Sequence, residues 1–334
     1  MDVRALTMVM RGGNLRARVG AVRAGQSAIR VAMTGAALDT GVLDALREPR
    51  SVDDLASRLG FADHDLLLAF VRTLEAARLV RPVGGRHETT RRGRAIADDP
   101  VARAAYTAFS DFHTGVYRDI AQQLRGGDGR RDVTDRAQVI ADLSRFMQPM
   151  VEATLREEVS SRPTRSVVDL GCGSGMLLAA MLQAAPDARG VGIELDPVAA
   201  RHAEENLSRQ GLDGRARVLV GEARELLAAG EGPFDVALLA NMVYYLPVLD
   251  RPALFRTVRD ALAPGGALVV VTTALTGDLF SRHFDVLIRA QQGSMELPDM
   301  DVLRAQVEEA GFTVDATRRL TPAEPLMALV ATAS

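Results

Sequence analysis

The segment VVDLGCGSG, residues 167–175, is the most informative part of the sequence. Its apolar run leads into Asp169, and three glycines follow directly before the helical pattern MLLAAMLQAA. Strand, glycine-rich turn and helix in this order are typical of a loop whose backbone N–H groups face a nucleotide at a helix N-terminus. We expect Gly171 to permit the sharp turn, and Gly173 and Gly175 to let a ligand approach the backbone closely.

Two carboxylates near this loop indicate which kind of nucleotide ligand it binds. The next apolar run, GVGIEL, ends in Glu194, where an acid can accept hydrogen bonds from both hydroxyls of a ribose. Dinucleotide sites read G-x-G-x-x-G and hold an anionic pyrophosphate, whereas this loop reads G-x-G-x-G with Asp169 two residues upstream. A carboxylate at that place favours a ligand with positive charge, such as a sulfonium and an amino group, over a pyrophosphate.

Five segments, in order, resemble class I S-adenosylmethionine-dependent methyltransferases. VVDLGCGSG and VGIELDP resemble the first two motifs of that family, GEARE the segment that lines adenine, FDVALLAN the fourth-strand motif and LAPGGALVVV the helix-turn-strand segment. The resemblance implies a Rossmann-like, seven-stranded, mostly parallel α/β sheet with S-adenosylmethionine as cofactor.

The same resemblance implies which residues hold the cofactor. Asp169 and the glycines of the loop hold the methionine part of the cofactor, and Glu194 holds its ribose. The segment GEARE lines the adenine, and Asn241, after the fourth strand, closes over the cofactor. The cofactor residues implied are Asp169, Gly171, Gly173, Gly175, Glu194, Leu195, Glu222, Ala223 and Asn241.

The 334 residues are enough for about two domains of roughly 150 residues each. Residues 17–47 have helical periodicity, Ser51 and Gly60 are start and stop signals for a second helix, and a third helix precedes a hairpin around Gly84–Gly85. From about residue 163, short apolar strands alternate with helices, which indicates a parallel sheet. We predict a mostly helical, winged-helix-like domain over 1–160 and a cofactor-binding catalytic domain over 161–334.

Composition and charge limit the partners of the protein. The net charge is −3, and helix 63–77 carries three acids against Arg72, so we expect no nucleic-acid partner. No apolar run is long enough to span a membrane, and the first twenty residues lack the apolar core of a signal peptide. Cys172 is the only cysteine, which excludes an internal disulfide and fits a reducing compartment. We therefore expect a cytoplasmic protein, in which Cys172 packs within the loop.

The chain as a whole resembles the dimeric O-methyltransferases of plant and bacterial secondary metabolism. GVLDALREP and SVDDLASRLG are similar to segments of their N-terminal domain. The resemblance implies that the N-terminal helices form a homodimer in which one protomer helps to cover the pocket of the other.

The sequence departs from that family at the general base. The family carries a His shortly after the fourth strand, whereas this chain reads NMVYYLP with Tyr244 at the position of the histidine. A phenol with a pKa near 10 is a poor base for an alcohol or phenol at neutral pH. We take Tyr244, His113 and His283 as candidate catalytic residues, and we assign no metal site because metal ligands do not cluster in the sequence.

We therefore predict methyl transfer from S-adenosylmethionine to a small molecule, with O-methylation of a secondary metabolite first and N- or C-methylation close behind. Two other classes stay open, a transcription regulator and a protein that binds the cofactor without methylating. A macromolecular acceptor is a weaker alternative.

Overall fold

The computed structural model describes residues 14–322 and 325–334, apart from the side chains of Thr134, Ala137 and Gln138. Contacts divide the chain into two compact units. The first runs to Ile120 and includes Arg136–Leu143, and the second comprises Ala121–Asp135 and Ser144–Ser334. The expectation about a signal peptide concerns residues 1–20, of which 1–13 lie outside the described residues.

The first unit is helical with one hairpin, and the predicted order of helix, helix and hairpin is confirmed. Ser51 caps its helix in a reciprocal hydrogen-bonded pair with Asp54, and Gly60 ends that helix with a left-handed φ of 73°. The elements are α1 Leu15–Asp39, α2 Val42–Ala45, α3 Val52–Leu59, α4 His64–Ala76, β1 Val80–Val83, β2 Arg86–Thr89, α5 Arg91–Asp98, α6 Pro100–Ser110, α7 Phe112–Gln123 and α9 Ala137–Ser144.

The helix predicted over 17–47 is two helices. Thr40 and Gly41 separate α1 from α2, and Gly41 adopts a left-handed φ of 74° that ends the first helix. The regular spacing of alanine, valine and leucine continues across this turn, so the periodicity alone did not reveal it.

The second unit contains the predicted seven-stranded sheet, in the order β5-β4-β3-β6-β7-β9-β8. Strands β5, β4, β3, β6 and β7 are parallel, and β9 runs antiparallel to both of its neighbours. The strands are β3 Ser166–Leu170, β4 Arg189–Glu194, β5 Ala216–Val220, β6 Phe234–Ala240, β7 Leu262–Thr273, β8 Phe312–Arg319 and β9 Leu326–Ala333.

Helices cover both faces of this sheet, so its strands are buried on two sides. Val167 and Val168, adjacent on β3, enter different hydrophobic clusters, one on each face. The helices are α8 Asp132–Asp135, α10 Gln148–Ser160, α11 Met176–Ala184, α12 Pro197–Arg209, α13 Ala223–Ala228, α14 Arg251–Asp260, α15 Leu279–Arg289 and α16 Met300–Glu309, with a 3₁₀ turn at Val243–Tyr245.

Helix α10 belongs to the packing of the sheet. Its Val151, Leu155 and Val159 lie in the same hydrophobic cluster as Val167 and Leu178. A division of the chain at residue 160 therefore separates α10 from the residues that it packs against. Within the described part of the chain, none of the helices has the length and apolar character needed to cross a membrane.

Candidate active site

The glycine loop lies at the carboxyl edge of the parallel strands, between β3 and α11. The backbone N–H groups of Gly171 and Cys172 donate to the carbonyl of Ile193 on β4, at 2.8 and 3.0 Å. Gly171, Gly173 and Gly175 all have positive φ, between 51° and 74°. The loop is thus held to the neighbouring strand by its backbone.

The space beside the glycines differs from one to the next. A Cβ at Gly173 would meet nothing within 4 Å, whereas a Cβ at Gly171 would lie 3.4 Å from Met242 Sδ. We expected ligand space at Gly175, but a Cβ there would approach Ala203 Cβ on α12 to 3.1 Å. Gly173 therefore leaves open space beside its backbone, whereas Gly175 permits close packing of α12 against the loop.

Cys172 is a packing residue, as the sequence predicts. Its Sγ would lie 2.7 Å from a Cβ at Gly192, so the thiol fills the space that this glycine leaves on β4. Burial raises the pKa of the thiol well above its ordinary value, and the charges of Asp169 and Glu194 add to this. The thiol therefore stays protonated and unreactive.

Asp169 is a buried carboxylate on β3, only 1% exposed. Its Oδ2 accepts no hydrogen bond within the part of the chain that the structure describes. Burial raises its pKa to about 7, and the charge of Glu194 adds to this rise, while the backbone N–H of Leu178 opposes it. A buried acceptor without a donor is costly, which indicates a ligand that supplies one.

Glu194, the last residue of β4, is bonded to the glycine loop. Its Oε2 accepts from the N–H of Gly173 at 2.9 Å, and its Oε1 accepts from the N–H of Asp196 at 3.1 Å. Each oxygen keeps a further lone pair for a ligand hydroxyl. The structure therefore fixes the orientation of this carboxylate at the edge of the sheet.

Apolar side chains are exposed beside Glu194. Leu195 is 70% exposed, and Val198 and Val220 are also exposed. Val220 is the register partner of Glu194 on the adjacent strand, so this apolar surface adjoins the carboxylate. Exposed apolar side chains at this edge suit a planar ring. Val220 was not predicted from the sequence, although its place at the end of a strand was a usable signal.

Glu222 and Ala223 stand at the start of α13. The carboxylate of Glu222 caps this helix by accepting from the N–H groups of Arg224 and Glu225, both at 3.2 Å. The side chain of Ala223 is buried in the core. Only part of the hydrogen-bonding capacity of Glu222 is therefore left for a ligand.

Asn241 follows β6 at the same edge of the sheet. It has a φ of 53°, which is rare for a residue other than glycine, and its N–H donates to Val271 at 2.7 Å. The turn places the next residue, Met242, over Gly171. Met242 was not predicted, because a methionine in a loop carries no chemical signal.

Tyr244 lies in the 3₁₀ turn after β6 and is buried. Its ring meets the rings of Tyr245 and Phe284 edge-on, with centroids 4.6 and 5.6 Å away. Burial raises the pKa of Tyr244 well above its usual value, and the charge of Tyr245 and a hydrogen bond to it add to the rise. The candidate role of Tyr244 as a base is therefore disfavoured, whereas it does form part of an aromatic wall.

His283 lies on α15, one residue before Phe284. Phe280 meets its ring edge-on, with the centroids 6.2 Å apart. Burial lowers the pKa of His283 from its ordinary 6.5, so the imidazole is neutral at pH 7. The contact between the rings of Phe284 and Tyr244 places α15, the helix that carries His283, beside the 3₁₀ turn.

His113 belongs to the other compact unit, on α7. The rings of Phe109 and Phe112 meet the ring of His113 edge-on, with centroids 4.6 and 4.2 Å away. The imidazole is buried.

Comparison with known proteins identifies the domain. A family model described as "Methyltransferase domain" matches residues 167–266. The chain is 25% identical over 309 residues to the N,N-dimethyltransferase OxyT of Streptomyces rimosus, covering 85% of this chain and 87% of that protein. It is 26% identical over 312 residues to the mitomycin biosynthesis 6-O-methyltransferase of Streptomyces lavendulae, with 84% of each chain covered. Residues 167–266 therefore form a methyltransferase domain, and the relatives support an enzyme with S-adenosylmethionine-dependent methyl transfer.

Other comparisons agree with this assignment. The chain is 30% identical to the methyltransferase ungE' of Aspergillus campestris over 213 residues, which span 60% of this chain and 59% of that protein. Among solved structures, the mitomycin 7-O-methyltransferase MmcR superposes with a TM-score of 0.77 at 20% identity, over 96% of this chain and all of that one. That likeness establishes the fold. The recognition from sequence is therefore confirmed.

The residues at the methyltransferase edge fit the cofactor. The sulfonium and amino group of S-adenosylmethionine are cationic, and Asp169 offers a buried acceptor whose Oδ2 has no donor among the described residues. Gly173 leaves open space, and Glu194 is oriented toward the loop by Gly173 N–H. Within residues 14–322 and 325–334, no group of three or more His, Cys, Asp or Glu side chains is arranged to hold a metal ion.

Proposed function

We propose that this methyltransferase transfers a methyl group to a small secondary-metabolite acceptor, with an oxygen atom as the first-choice acceptor. The observation that carries the proposal is the buried carboxylate of Asp169, whose Oδ2 has no hydrogen-bond partner in the described part of the chain. It lies on the strand that leads into the open backbone of Gly173. The mitomycin 6-O-methyltransferase, to which 84% of the chain aligns, supports an oxygen acceptor on a natural product.

Each predicted cofactor residue has a separate role in this proposal. The ionised Asp169 pairs with the amino group, Glu194 accepts from the ribose hydroxyls, and Leu195 covers one side of the adenosine. Gly171, Gly173 and Gly175 shape the loop, Glu222 and Ala223 bound the adenine edge, and Asn241 closes over the cofactor. Bound S-adenosylmethionine supplies the methyl group on a sulfonium that is already activated, so the remaining task of the protein is to position the acceptor.

The acceptor wall is the cluster of Tyr244, Tyr245 and Phe284 with Phe280 and His283. Its aromatic faces suit a planar acceptor, and the contact between Tyr244 and Phe284 joins the loop after β6 to helix α15. Neutral His283 is the best-suited base in this unit for a hydroxyl proton, because burial lowers its pKa. His113, the other histidine predicted from the sequence, lies on α7 of the first compact unit and stays a candidate catalytic residue.

An amine or carbon acceptor is the second candidate. Tyr244 stands where the resembled family has its histidine, and its raised pKa prevents it from removing a proton. An amine that has already lost its proton needs no base, and the relative OxyT is an N,N-dimethyltransferase.

The exposed first helix supports a homodimer. Every residue from 15 to 30 is exposed, although Val19, Val22 and Ile29 continue an apolar stripe. A helical stretch of this length that contains Gly20 and Gly25 is marginal alone, so a second copy of the chain is the proposed partner. In this proposal residues 1–160, with their winged-helix-like part, act as the dimerisation and lid domain, and 161–334 as the catalytic domain. The lone buried Cys172 supports a cytoplasmic location.

A methyl-transfer screen tests the proposal. The purified protein is incubated with S-adenosylmethionine and a panel of phenols, aryl amines and enolisable carbon acids, and S-adenosylhomocysteine release and product mass are measured. We expect turnover with a planar phenol or amine, and loss of turnover in Asp169→Ala. Cofactor binding without turnover on any acceptor would overturn the acceptor part of the proposal, and retention on DNA at low salt would favour a regulator.

A further inference from the structure

Arg251 is a charged residue buried where the fold gives it little help. It is the first residue of α14 and 1% exposed. A helix N-terminus disfavours positive charge, and burial lowers the pKa of this guanidinium, although the charge of Glu296 opposes the shift. Burial of a charged guanidinium costs free energy, which hydrogen bonds to the protein must offset.

The guanidinium joins two loops that are far apart in the sequence. Its Nε donates to the carbonyl of Leu246 at 3.3 Å, and its Nη2 donates to the carbonyl of Glu296 at 2.8 Å. Leu246 ends the 3₁₀ turn that carries Tyr244 and Tyr245. Glu296 lies in the loop between α15 and α16.

The second loop is fixed to α15 by further polar contacts. Arg289 binds the carboxylates of Glu296 and Asp285, at 2.7 and 2.9 Å. Asp285 Oδ1 accepts from the N–H of Leu297 at 3.2 Å. Leu297 is thereby held in the hydrophobic cluster that contains Tyr244.

We propose that Arg251 is a positioning residue that sets the shape of the acceptor site by fixing the loop of Tyr244 against the loop of Leu297. This inference rests on the proposed acceptor wall. The two hydrogen bonds of Arg251 hold the backbone of both loops, so the fit of the acceptor depends on Arg251. The conformation of the glycine loop does not depend on it. The planar guanidinium has five N–H donors and can donate to two carbonyls in fixed directions, which the ammonium group of a lysine cannot reproduce.

The test compares Arg251→Met and Arg251→Lys with Arg259→Met. Arg259 lies on the same helix and also donates to a backbone carbonyl, that of Ala310 at 2.8 Å, but it is remote in sequence from both loops. We expect Arg251→Met to raise the acceptor KM at least about tenfold, with partial rescue in Arg251→Lys and less than about twofold change in Arg259→Met. Cofactor affinity should stay unchanged in all three.

Near-ultraviolet circular dichroism gives a second readout. The chain has no tryptophan and four tyrosines, two of which are Tyr244 and Tyr245. We expect the tyrosine band to change in Arg251→Met but not in Arg259→Met. If both variants only lower the melting temperature, with the same acceptor KM and tyrosine band, Arg251 is merely structural and the inference is wrong. If Arg251→Met does not fold, Arg251→Lys must still raise the KM.

Phe284→Ala separates this inference from the proposed function. If it leaves the acceptor KM unchanged, the acceptor wall itself is wrong. If Phe284→Ala raises the KM while the Arg251 variants behave like Arg259→Met, the wall stands and the positioning role is overturned.

Discussion

Glu194 and Gly173 lie 21 residues apart and are joined by a 2.9 Å hydrogen bond from the glycine N–H to the carboxylate. The other oxygen of Glu194 accepts from Asp196 N–H. The acid at the end of β4 therefore both orders the glycine loop and is oriented by it. In the proposed function, the same carboxylate meets the ribose.

Glu194→Gln should weaken cofactor binding about tenfold or more, because the amide has only one acceptor oxygen for two backbone donors and the ribose. Calorimetric titration with S-adenosylmethionine measures the effect. Glu205→Gln, on the exposed face of α12, removes the same charge away from the site and should bind normally. Equal affinity of the two variants would contradict the role of Glu194.

Cofactor affinity should rise as the pH rises through about 7, because the cationic amino group binds the ionised form of Asp169. Asp169→Asn should bind more weakly and lose most of this dependence. Titrations between pH 6 and 8, in buffers of different ionisation enthalpy, measure both the affinity and the proton released. Wild-type and variant curves that are parallel would contradict this assignment.

Asp169 should also lower the stability of the free protein at neutral pH. Its folded pKa of about 7 exceeds its ordinary 3.8, so between these values the unfolded chain binds fewer protons and stability falls as pH rises. Asp169→Asn should therefore gain stability relative to wild type at pH 7.5, by about 2–4 kcal/mol, and little at pH 4. Urea unfolding at the two pH values checks the sign, and equal differences at both would refute it.

Gly173→Ala and Gly175→Ala should fail in different ways. Both place a side chain at positive φ, which costs about 1–2 kcal/mol. Only Gly175→Ala also presses on Ala203, so it should have the lower melting temperature. Gly173→Ala should stay folded and lose cofactor affinity. The comparison needs only thermal melts and one titration series, and a reversed order of stability would contradict the geometry.

His283 and Tyr244 should differ as candidate bases. With a phenol acceptor, His283→Gln should lower kcat by about 10²–10⁴, whereas Tyr244→Phe should stay within about tenfold of wild type. Because burial lowers the pKa of His283, the wild-type kcat at saturating S-adenosylmethionine should be flat above pH 6.5 and fall below it. Loss of this acid limb in His283→Gln would support the role, and an unchanged rate would point to an acceptor that needs no base.

The homodimer should depend on the apolar stripe of α1. Val22→Glu with Ile29→Glu puts two charges on the stripe and should give a monomer in light scattering. Ala24→Glu with Ala28→Glu adds the same charges on the opposite side of this exposed helix and should leave a dimer. Dimers from both pairs, or a monomeric wild type, would rule out this interface.

The sheet and the glycine loop could be predicted because their signals in the sequence are local. Alternating strands and helices, Asp169 and Glu194 at strand ends, and the Ser51 cap each depend on neighbouring residues. Gly175 was harder to interpret, because a glycine that makes room for Ala203 cannot be distinguished in the sequence from a glycine that makes room for a ligand.

Residues that act through long-range packing were not visible in the sequence. Arg251 is one of 40 basic residues, and only the fold shows that it is buried between two loops. Tyr244 was a candidate catalytic residue from its position after the fourth strand, but its raised pKa depends on burial beside Tyr245 and Phe284, which the sequence does not specify.

The central claim is that the loop from Asp169 to Gly175 binds S-adenosylmethionine. Titration of the wild-type protein and Asp169→Asn with S-adenosylmethionine and with NAD tests it most directly. We expect saturable binding of S-adenosylmethionine to the wild type, weaker binding to the variant and no binding of NAD to either. Binding of NAD, or equal binding of S-adenosylmethionine to both proteins, would contradict it.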